Sequence, residues 1–184
     1  MKLACVSGRF QPLHRQHVEL FERALQEAEQ LIVAITNPDQ GALYQSTAST
    51  HRHRPQDNPF TYFERSRFVA AVLRERGWLE RATIVPFDLG APAYWASYVP
   101  LTALQLVRVY SPWEEAKVDL LKNAGYAVRA LAGDAAHRVN GGTIRTLIRA
   151  GGDWEPDVPD AVVPLVRAWR QRVLDVVPAP EQSR

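Results

Sequence analysis

The stretch that decides the fold runs from Lys2 to His17 and reads KLACVSGRFQPLHRQH. The apolar run at residues 3–6 predicts a buried β-strand, and Gly8 follows it as a turn residue. From His14 onward apolar residues recur with the period of an amphipathic helix, and His14 and His17 share one face of its first turn. Unpaired backbone N–H groups at a helix start attract anions. The strand, turn and helix together therefore predict a phosphate-binding site.

The two histidines also admit other interpretations. They could ligate zinc, but zinc needs further Cys, His or carboxylate ligands at suitable spacing, and Cys5 is the only cysteine. Taken singly, each of His14, His17 and Arg9 is most simply a solvated surface residue. Their combination at a strand-to-helix junction favours a phosphate site, and the sequence indicates no protein metal centre.

Length and composition bound the class of protein. The 184 residues predict one domain, at residues 1–177, followed by a frayed tail at 178–184. The net charge of +2 is too small to indicate nucleic-acid binding. No apolar run approaches the ~20 residues of a membrane span, and a single cysteine fits a reducing compartment. We expect a cytoplasmic homo-oligomer that binds small anions, and neither nucleic acid nor membrane.

Strand-like and helix-like segments alternate along the chain. Further strands are predicted at residues 31–35, 82–87, near 106–110 and at 127–131. Helices are predicted at 61–77, where Thr61 and Glu64 form a capping box, in a short segment at 95–99, from 111 to about 124, at 143–150, and from Pro159 onward. This alternation predicts an α/β protein with a Rossmann-like, doubly wound, five-stranded parallel sheet and helices on both faces.

Several polar features fall where predicted strands end. In doubly wound sheets ligands bind beyond the carboxyl ends of the strands, where the strand order changes direction. Besides the first turn, the residues that we expect at that edge are Thr36, Asp88 and Ser111.

The segment at residues 40–58 shows no convincing periodicity and is rich in histidine and arginine. Long segments of this kind are either functional loops or solvated, mobile ones. As a functional loop it would close over a substrate, with Arg52 or Arg54 reaching an anionic group.

With these residues placed, the chain resembles the nucleotidyltransferase superfamily marked by a paired-histidine motif, His-x-Gly-His. Within it, the chain is most similar to archaeal-type nicotinamide mononucleotide adenylyltransferases, over about residues 2–173. The matching stretches are 8–12 with His14 and His17, 58–61 with Glu64 and Arg65, Asp88 with Trp95, 97–99, 125–126, Gly141 with Ile144 and Arg145, 152–154, and Pro159 with 161–163.

The resemblance implies transfer of a nucleoside monophosphate from a triphosphate to a phosphate-bearing small molecule, with release of pyrophosphate. The reaction that it favours joins ATP and nicotinamide mononucleotide, with Mg²⁺ arriving on the triphosphate. It implies that His14, His17 and Arg145 are catalytic, that Trp95 stacks on the nicotinamide ring, and that Asp88 lies near the carboxamide. The nucleotide and phosphate contacts that we expect come from Gly8, Arg9, Phe10, Gln11, Thr36, Ser111, Gly141, Gly142 and Thr143. Without the resemblance, Trp95 is more simply a core aromatic residue.

Four positions depart from the family pattern. Gln16 stands where the family has glycine between the histidines, and Pro92 where it has asparagine. The motif Ser-Gly-Asn appears as Ser-Pro-Trp at residues 111–113, and Ser-Gly-Thr appears as Asn-Gly-Gly at residues 140–142. Residues 35–39 also resemble cytidylyltransferase-type relatives that activate phosphonates or other phosphorylated metabolites. The alternatives are therefore a CTP-dependent cytidylyltransferase and a non-catalytic nucleotide-binding regulator, although the retained histidines and Arg145 argue against the regulator.

Overall fold

Five strands form one sheet in which every pairing is parallel. They are β1 (Leu3–Gly8), β2 (Gln30–Thr36), β3 (Ala82–Phe87), β4 (Leu104–Val109) and β5 (Val128–Ala132). The computed structural model describes residues 1–43 and 53–176, and over these the strand order is β3-β2-β1-β4-β5. The predicted α/β, Rossmann-like five-stranded parallel sheet is confirmed. The predicted tail at 178–184 lies outside the described residues.

The α-helices of the described residues are α1 (Arg15–Glu27), α2 (Tyr62–Glu75), α3 (Pro112–Asn123), α4 (Gly141–Ala150), α5 (Val163–Trp169) and α6 (Gln171–Asp175). The capping box of α2 is confirmed, since Thr61 Oγ1 accepts from the Glu64 N–H at 3.2 Å and the Glu64 carboxylate accepts from the Thr61 N–H at 2.8 Å.

Two predicted helices differ in the structure. The last helix was expected from Pro159, but residues 159–162 form a turn and α5 begins at Val163. Pro164 lacks an N–H and fits the first helical turn, which places the helix start beside it. The short helix expected at 95–99 is a 3₁₀ segment at Pro92–Ser97, which likewise begins with a proline.

Helices cover both faces of the sheet, as predicted. Successive side chains of a strand point to opposite faces, so Ala4 and Val6 of β1 enter one core and Cys5 enters the other. The first core is completed by apolar residues of α1, α2 and α4–α6. The second is completed by α3 and by the 3₁₀ segment Pro92–Ser97.

The direction of winding changes at β1. The chain runs outward from β1 to β2 and β3, and then returns past β1 to form β4 and β5. β1 therefore pairs with β2 on one side and β4 on the other, and a crevice opens beyond the carboxyl ends of β1 and β4. Over the part of the chain described, no helix is both long and apolar enough to cross a lipid bilayer.

Candidate active site

A pocket of about 160 Å³ occupies the crevice beyond β1 and β4. Its walls come from the turn after β1, the first turns of α1 and α4, the end of β4, and the first half of α3. The predicted site residues that it brings together are Gly8, Arg9, Phe10, Gln11, His14, His17, Thr36, Gly141 and Arg145. Gln11 and Arg145, which are 134 positions apart in sequence, thus meet at one point of the sheet edge.

His14 and His17 lie at the start of α1 with their rings stacked, at a centroid distance of 3.6 Å. The backbone N–H of His14 donates to His17 Nδ1 at 3.2 Å. With Nδ1 accepting, a neutral His17 carries its proton on Nε2 and can donate it to a ligand. His14 occupies the N-cap position of α1.

Both histidines are neutral in this setting. Burial, followed by the positive charges of Arg108 and Arg138, lowers the pKa of His14 to about 3. Burial also lowers the pKa of His17 well below its usual value, and the neighbouring His14 and several cations add to the effect. The pair therefore acts as a source of neutral N–H donors rather than of positive charge.

Positive charge in the pocket comes instead from arginine and lysine. The cationic side chains that line it are Arg9, Arg108, Lys117, Arg138 and Arg145. Among the described lining residues only Glu114 carries a carboxylate, and it pairs with Arg138 at 3.0 Å. Because positive charge exceeds negative charge here, the pocket suits a polyanionic ligand.

Sequence reasoning missed three of these cations, of which Lys117 is the most deeply buried. Its side chain is 7% exposed, and Nζ donates to the Ser7 carbonyl at 2.7 Å. A signal was available, because Lys117 lies on the buried stripe of α3 with Glu114, Val118 and Leu121. A charged residue at an apolar-stripe position indicates an inward-facing polar group.

The Arg145 side chain, near the N-terminus of α4, is fixed by contacts with Gln11 and Asp57. The residue is 3% exposed, Nη1 donates to the Gln11 carbonyl at 2.7 Å, and Nη2 pairs with the Asp57 carboxylate. Burial lowers its pKa and the charge of Asp57 opposes that shift. Residue 141 must be glycine for this approach, because a Cβ there would lie 2.9 Å from the Gln11 carbonyl oxygen. Asn140 caps the helix by accepting from the Gly142 N–H at 2.8 Å.

A second buried arginine ties the strand-end loops together. Arg65 is 1% exposed and donates to the carbonyls of Thr36 at 2.6 Å, Asn37 at 2.7 Å, Arg9 at 2.9 Å and Thr61 at 3.2 Å. Burial lowers its pKa to about 10, so it stays charged at neutral pH. Arg65 thus positions the loops that carry Arg9 and Thr36. The sequence comparison matched this residue but gave it no role.

Some predicted site residues have structural contacts instead. The Gln11 side chain donates to the Phe60 carbonyl and accepts from the Phe60 N–H, both at 2.9 Å, so it braces two loops. Ser111 occupies the N-cap position of α3, and its hydroxyl donates to the Glu114 carboxylate. Both side chains are thus already hydrogen-bonded within the protein, and their predicted nucleotide contacts stay predictions.

Other predicted residues lie away from the pocket. Gly142 and Thr143 belong to the first turn of α4 but are not among the lining residues. Arg54 is exposed and precedes a 3₁₀ turn, where its carbonyl accepts from Asn58. Arg52 lies outside the described residues. The predicted closure of the 40–58 segment over a substrate therefore stays a prediction.

Asp88 and Trp95 do meet, but at a second pocket beyond the ends of β2 and β3. Trp95 is 2% exposed, packs against Phe87 at a centroid distance of 5.1 Å, and donates its indole N–H to the Asp88 carbonyl at 2.6 Å. Its ring is part of the second core, in line with the simpler interpretation, although it also borders the second pocket. Stacking on a substrate ring stays a prediction.

The described residues contain no group of three His, Cys, Asp or Glu side chains arranged to hold a metal ion. What they do contain is a crevice at the switch point of a doubly wound sheet, with N–H donors at a helix start and an excess of cations. Together these features define a nucleotide-binding α/β protein that handles phosphate groups.

Comparison with known proteins places the chain within that class. The Cytidylyltransferase-like family matches residues 5–88. The phosphonoformate cytidylyltransferase of Streptomyces viridochromogenes is 37% identical over 163 residues, which cover 88% of this chain and 89% of that protein. The nicotinamide-nucleotide adenylyltransferase of Thermoplasma acidophilum is 32% identical over 166 residues, 90% of this chain and 85% of that protein. The chain belongs to the cytidylyltransferase-like family of nucleotidyltransferases.

Solved structures agree on the fold. A bifunctional NMN adenylyltransferase/ADP ribose pyrophosphatase from Francisella tularensis, complexed with AMP and a manganese ion, superposes with a TM-score of 0.65 at 16% identity. The superposition covers 95% of this chain but only 52% of that one, so the chain spans about half of the bifunctional protein. The expected preference for adenylyl over cytidylyl transfer is not supported, because the cytidylyltransferase has the higher identity of the two relatives above.

Proposed function

We propose that the protein transfers a cytidylyl group from CTP to a small phosphonate or phosphorylated acceptor and releases pyrophosphate. The observation that carries the proposal is the switch-point pocket, where the neutral histidine pair meets an excess of Arg and Lys side chains. CTP is favoured over ATP by the 37% identity to a phosphonoformate cytidylyltransferase and by Gln16, which replaces the glycine of the adenylyltransferase pattern.

In the proposed reaction an acceptor oxygen attacks the α-phosphorus of CTP. A P–O bond to the acceptor forms, the bond to the bridging oxygen breaks, and pyrophosphate leaves with the electron pair. The acceptor oxygen is already ionised at neutral pH, so no strong general base is needed. Catalysis then consists of positioning and of stabilising charge on the phosphate oxygens.

The pocket residues divide this work by charge. His17, with its proton on Nε2, and His14 would donate N–H bonds to the α-phosphate and leaving group, while Arg145 would bind the β- and γ-phosphates. Arg9 would bind the anionic group of the acceptor. Mg²⁺ is proposed to enter as part of the triphosphate substrate, keeping several waters.

A second candidate, adenylyl transfer to nicotinamide mononucleotide, is favoured by the second pocket. Its described lining includes Asp39 and Asp88 together with the aromatic rings of Tyr94, Trp95 and Tyr98, and it includes no Lys, Arg or His. Carboxylates and aromatic faces attract a flat cationic ring, which nicotinamide mononucleotide carries.

A substrate panel decides between the candidates. The purified protein is incubated with Mg²⁺ and CTP, UTP, ATP or GTP, each combined with phosphonoformate, a second phosphonate, or nicotinamide mononucleotide, and pyrophosphate release is measured. We expect release with CTP and a phosphonate. Release only with ATP and the mononucleotide would select the second candidate, and nucleotide binding without release from any combination would identify a regulator.

A further inference from the structure

The switch-point pocket has two chemically different ends. The cationic end lies at the starts of α1 and α4, with Arg9 and Arg145. The other end lies between β4 and α3, where Leu106, Val107 and Trp113 line the pocket, and we call it the apolar end after these residues. Three cations also reach this end, but each is engaged by the protein: Arg108 by Glu19 at 2.9 Å, Arg138 by Glu114 at 3.0 Å, and Lys117 by the Ser7 carbonyl at 2.7 Å. A nucleotide has charged phosphates and a base with apolar faces, so its base belongs at the apolar end.

Gln16 fixes one wall of that end. Its Oε1 accepts from the Tyr110 hydroxyl at 2.8 Å and from the Val139 N–H at 3.0 Å, and its Nε2 donates to the His137 carbonyl at 2.7 Å. Three hydrogen bonds therefore tie a side chain of α1 to the end of β4 and to the connection before α4. Such a side chain cannot move aside without losing all three.

Tyr110, the partner of Gln16, is itself held by two close neighbours. A Cβ at residue 133 would overlap the Tyr110 ring, so only glycine at that position allows the ring to lie against the backbone. The Arg138 guanidinium lies 4.7 Å from the ring centroid on the aromatic face, and Arg138 is anchored by Glu114 at 3.0 Å. The wall formed by Gln16 and Tyr110 is therefore rigid.

We propose that Gln16 determines base size: held by Tyr110, Val139 and His137, it narrows the apolar end so that a one-ring base enters and a two-ring base does not. The inference deepens the proposed function and rests on it for the identity of the ligand as a nucleoside triphosphate. Since a two-ring base must displace Gln16, we expect CTP and UTP to bind at least about 10-fold more tightly than ATP and GTP.

The test is calorimetric titration of the protein with CTP, UTP, ATP and GTP. Gln16→Gly removes the side chain, and we expect the CTP-to-ATP affinity ratio to fall about 10-fold while the CTP-to-UTP ratio is unchanged, because both bases have one ring. Tyr110→Phe removes one of the three hydrogen bonds and should lower the CTP-to-ATP ratio by about threefold. The matched control is Gln26→Gly on the exposed side of the same helix, where Gln26 contacts Arg23, and it should leave both ratios unchanged.

Three results would overturn the inference: an unaltered protein that binds ATP as tightly as CTP, a Gln16→Gly variant with an unchanged ratio, or an equal loss of affinity for all four nucleotides. Folding of Gln16→Gly is checked by thermal unfolding. If it does not fold, the CTP-to-ATP and CTP-to-UTP ratios are measured with Gln16→Ala and Tyr110→Phe instead. The affinities are measured without an acceptor. Failure of nucleotidyl transfer in the substrate panel is therefore a separate result. It would contradict the proposed function but not the inference that Gln16 determines base size.

Discussion

The two pockets of this protein lie along the same edge of the sheet but are built differently. The switch-point pocket is formed largely by helix starts, strand ends and buried cations, and its key groups are fixed by backbone carbonyls. The second pocket, beyond β2 and β3, is formed by aromatic side chains and two carboxylates, and the described part of its lining has no cation. The first suits phosphates, and the second suits a neutral or cationic group.

Under the second candidate function, this difference would separate the phosphate chemistry of the first pocket from binding of the acceptor's cationic ring in the second. A phosphate site needs preorganised donors in fixed positions, which buried hydrogen bonds supply. An acceptor site can vary by exchange of side chains on a loop or a short 3₁₀ segment. Changes in the first pocket should therefore affect turnover, and changes in the second should affect which acceptor binds.

The largest effect is expected for His17→Ala. The substitution removes an N–H donor aimed at the reacting phosphate, and kcat for pyrophosphate release should fall ~10²-fold or more. Glu22→Ala, on the exposed side of α1, is the matched control and should change kcat less than twofold. Activity of His17→Ala within a few-fold of the unaltered protein would remove the histidine pair from the mechanism.

A smaller effect is expected for Arg145→Lys. Lysine keeps the charge but cannot contact Gln11, Asp57 and a phosphate at once, because it lacks the planar guanidinium. We expect triphosphate affinity to fall by about 10-fold, measured by titration, whereas Arg23→Lys on the surface of α1 should leave it unchanged. Unchanged affinity in Arg145→Lys would show that the residue serves only to brace the loops.

Asp88→Asn probes the second pocket. Removing a carboxylate should lower the preference for nicotinamide mononucleotide over its acidic analogue by roughly fivefold, which corresponds to ~1 kcal/mol for one exposed charge. Competition binding with the two mononucleotides measures the ratio, and Asp119→Asn on the exposed side of α3 is the control. An unchanged ratio would mean that Asp88 does not interact with the bound mononucleotides.

A separate effect concerns acid stability, and it distinguishes the pockets because only the first contains histidines among its described residues. The pKa of His14 is about 3 in the folded protein, against 6.5 for an ordinary histidine. Below pH 6.5 the unfolded chain therefore binds a proton that the folded chain does not. The free energy of unfolding should fall by ~1 kcal/mol per pH unit from pH 6.5 downward.

Urea unfolding at pH 7.5, 6.0 and 5.0 measures this dependence. Above pH 6.5 the contribution of His14 is complete, and His14→Asn should give a shallower dependence below that pH, whatever its effect on absolute stability. An equal slope in the two proteins would show that His14 does not contribute to the loss of stability in acid.

The part of the site formed by β1, the turn after it and α1 could be predicted from the sequence, because its residues are close together along the chain. Gly8, His14 and His17 lie within one strand-turn-helix unit, whose geometry is local. The site role of Arg145 was predicted from the resemblance to the family, and the local sequence added a glycine pair before a helix. The sheet was predictable because β1 and β2 each contain an uninterrupted apolar run, and the other strands alternate with helix-like segments along the chain.

The parts that could not be predicted depend on long-range contacts. Nothing local shows that the Gln11 side chain would pair with Phe60, or that Arg65 would collect four carbonyls from three loops. The charge state of the histidines also escaped prediction, since it follows from burial and from Arg108 and Arg138, which are distant in sequence. Trp95 was assigned by resemblance, and only the packing shows its ring in the core.

The contacts of Arg65 have a consequence for the evolution of this family member. Each of its four partners is a backbone carbonyl, which every amino acid possesses. Side chains in the loops after β1 and β2 can therefore be exchanged by mutation without breaking the tie that holds the loops in place. One buried guanidinium thus allows side chains of these loops to change and acquire new substrate contacts while the phosphate site keeps its shape.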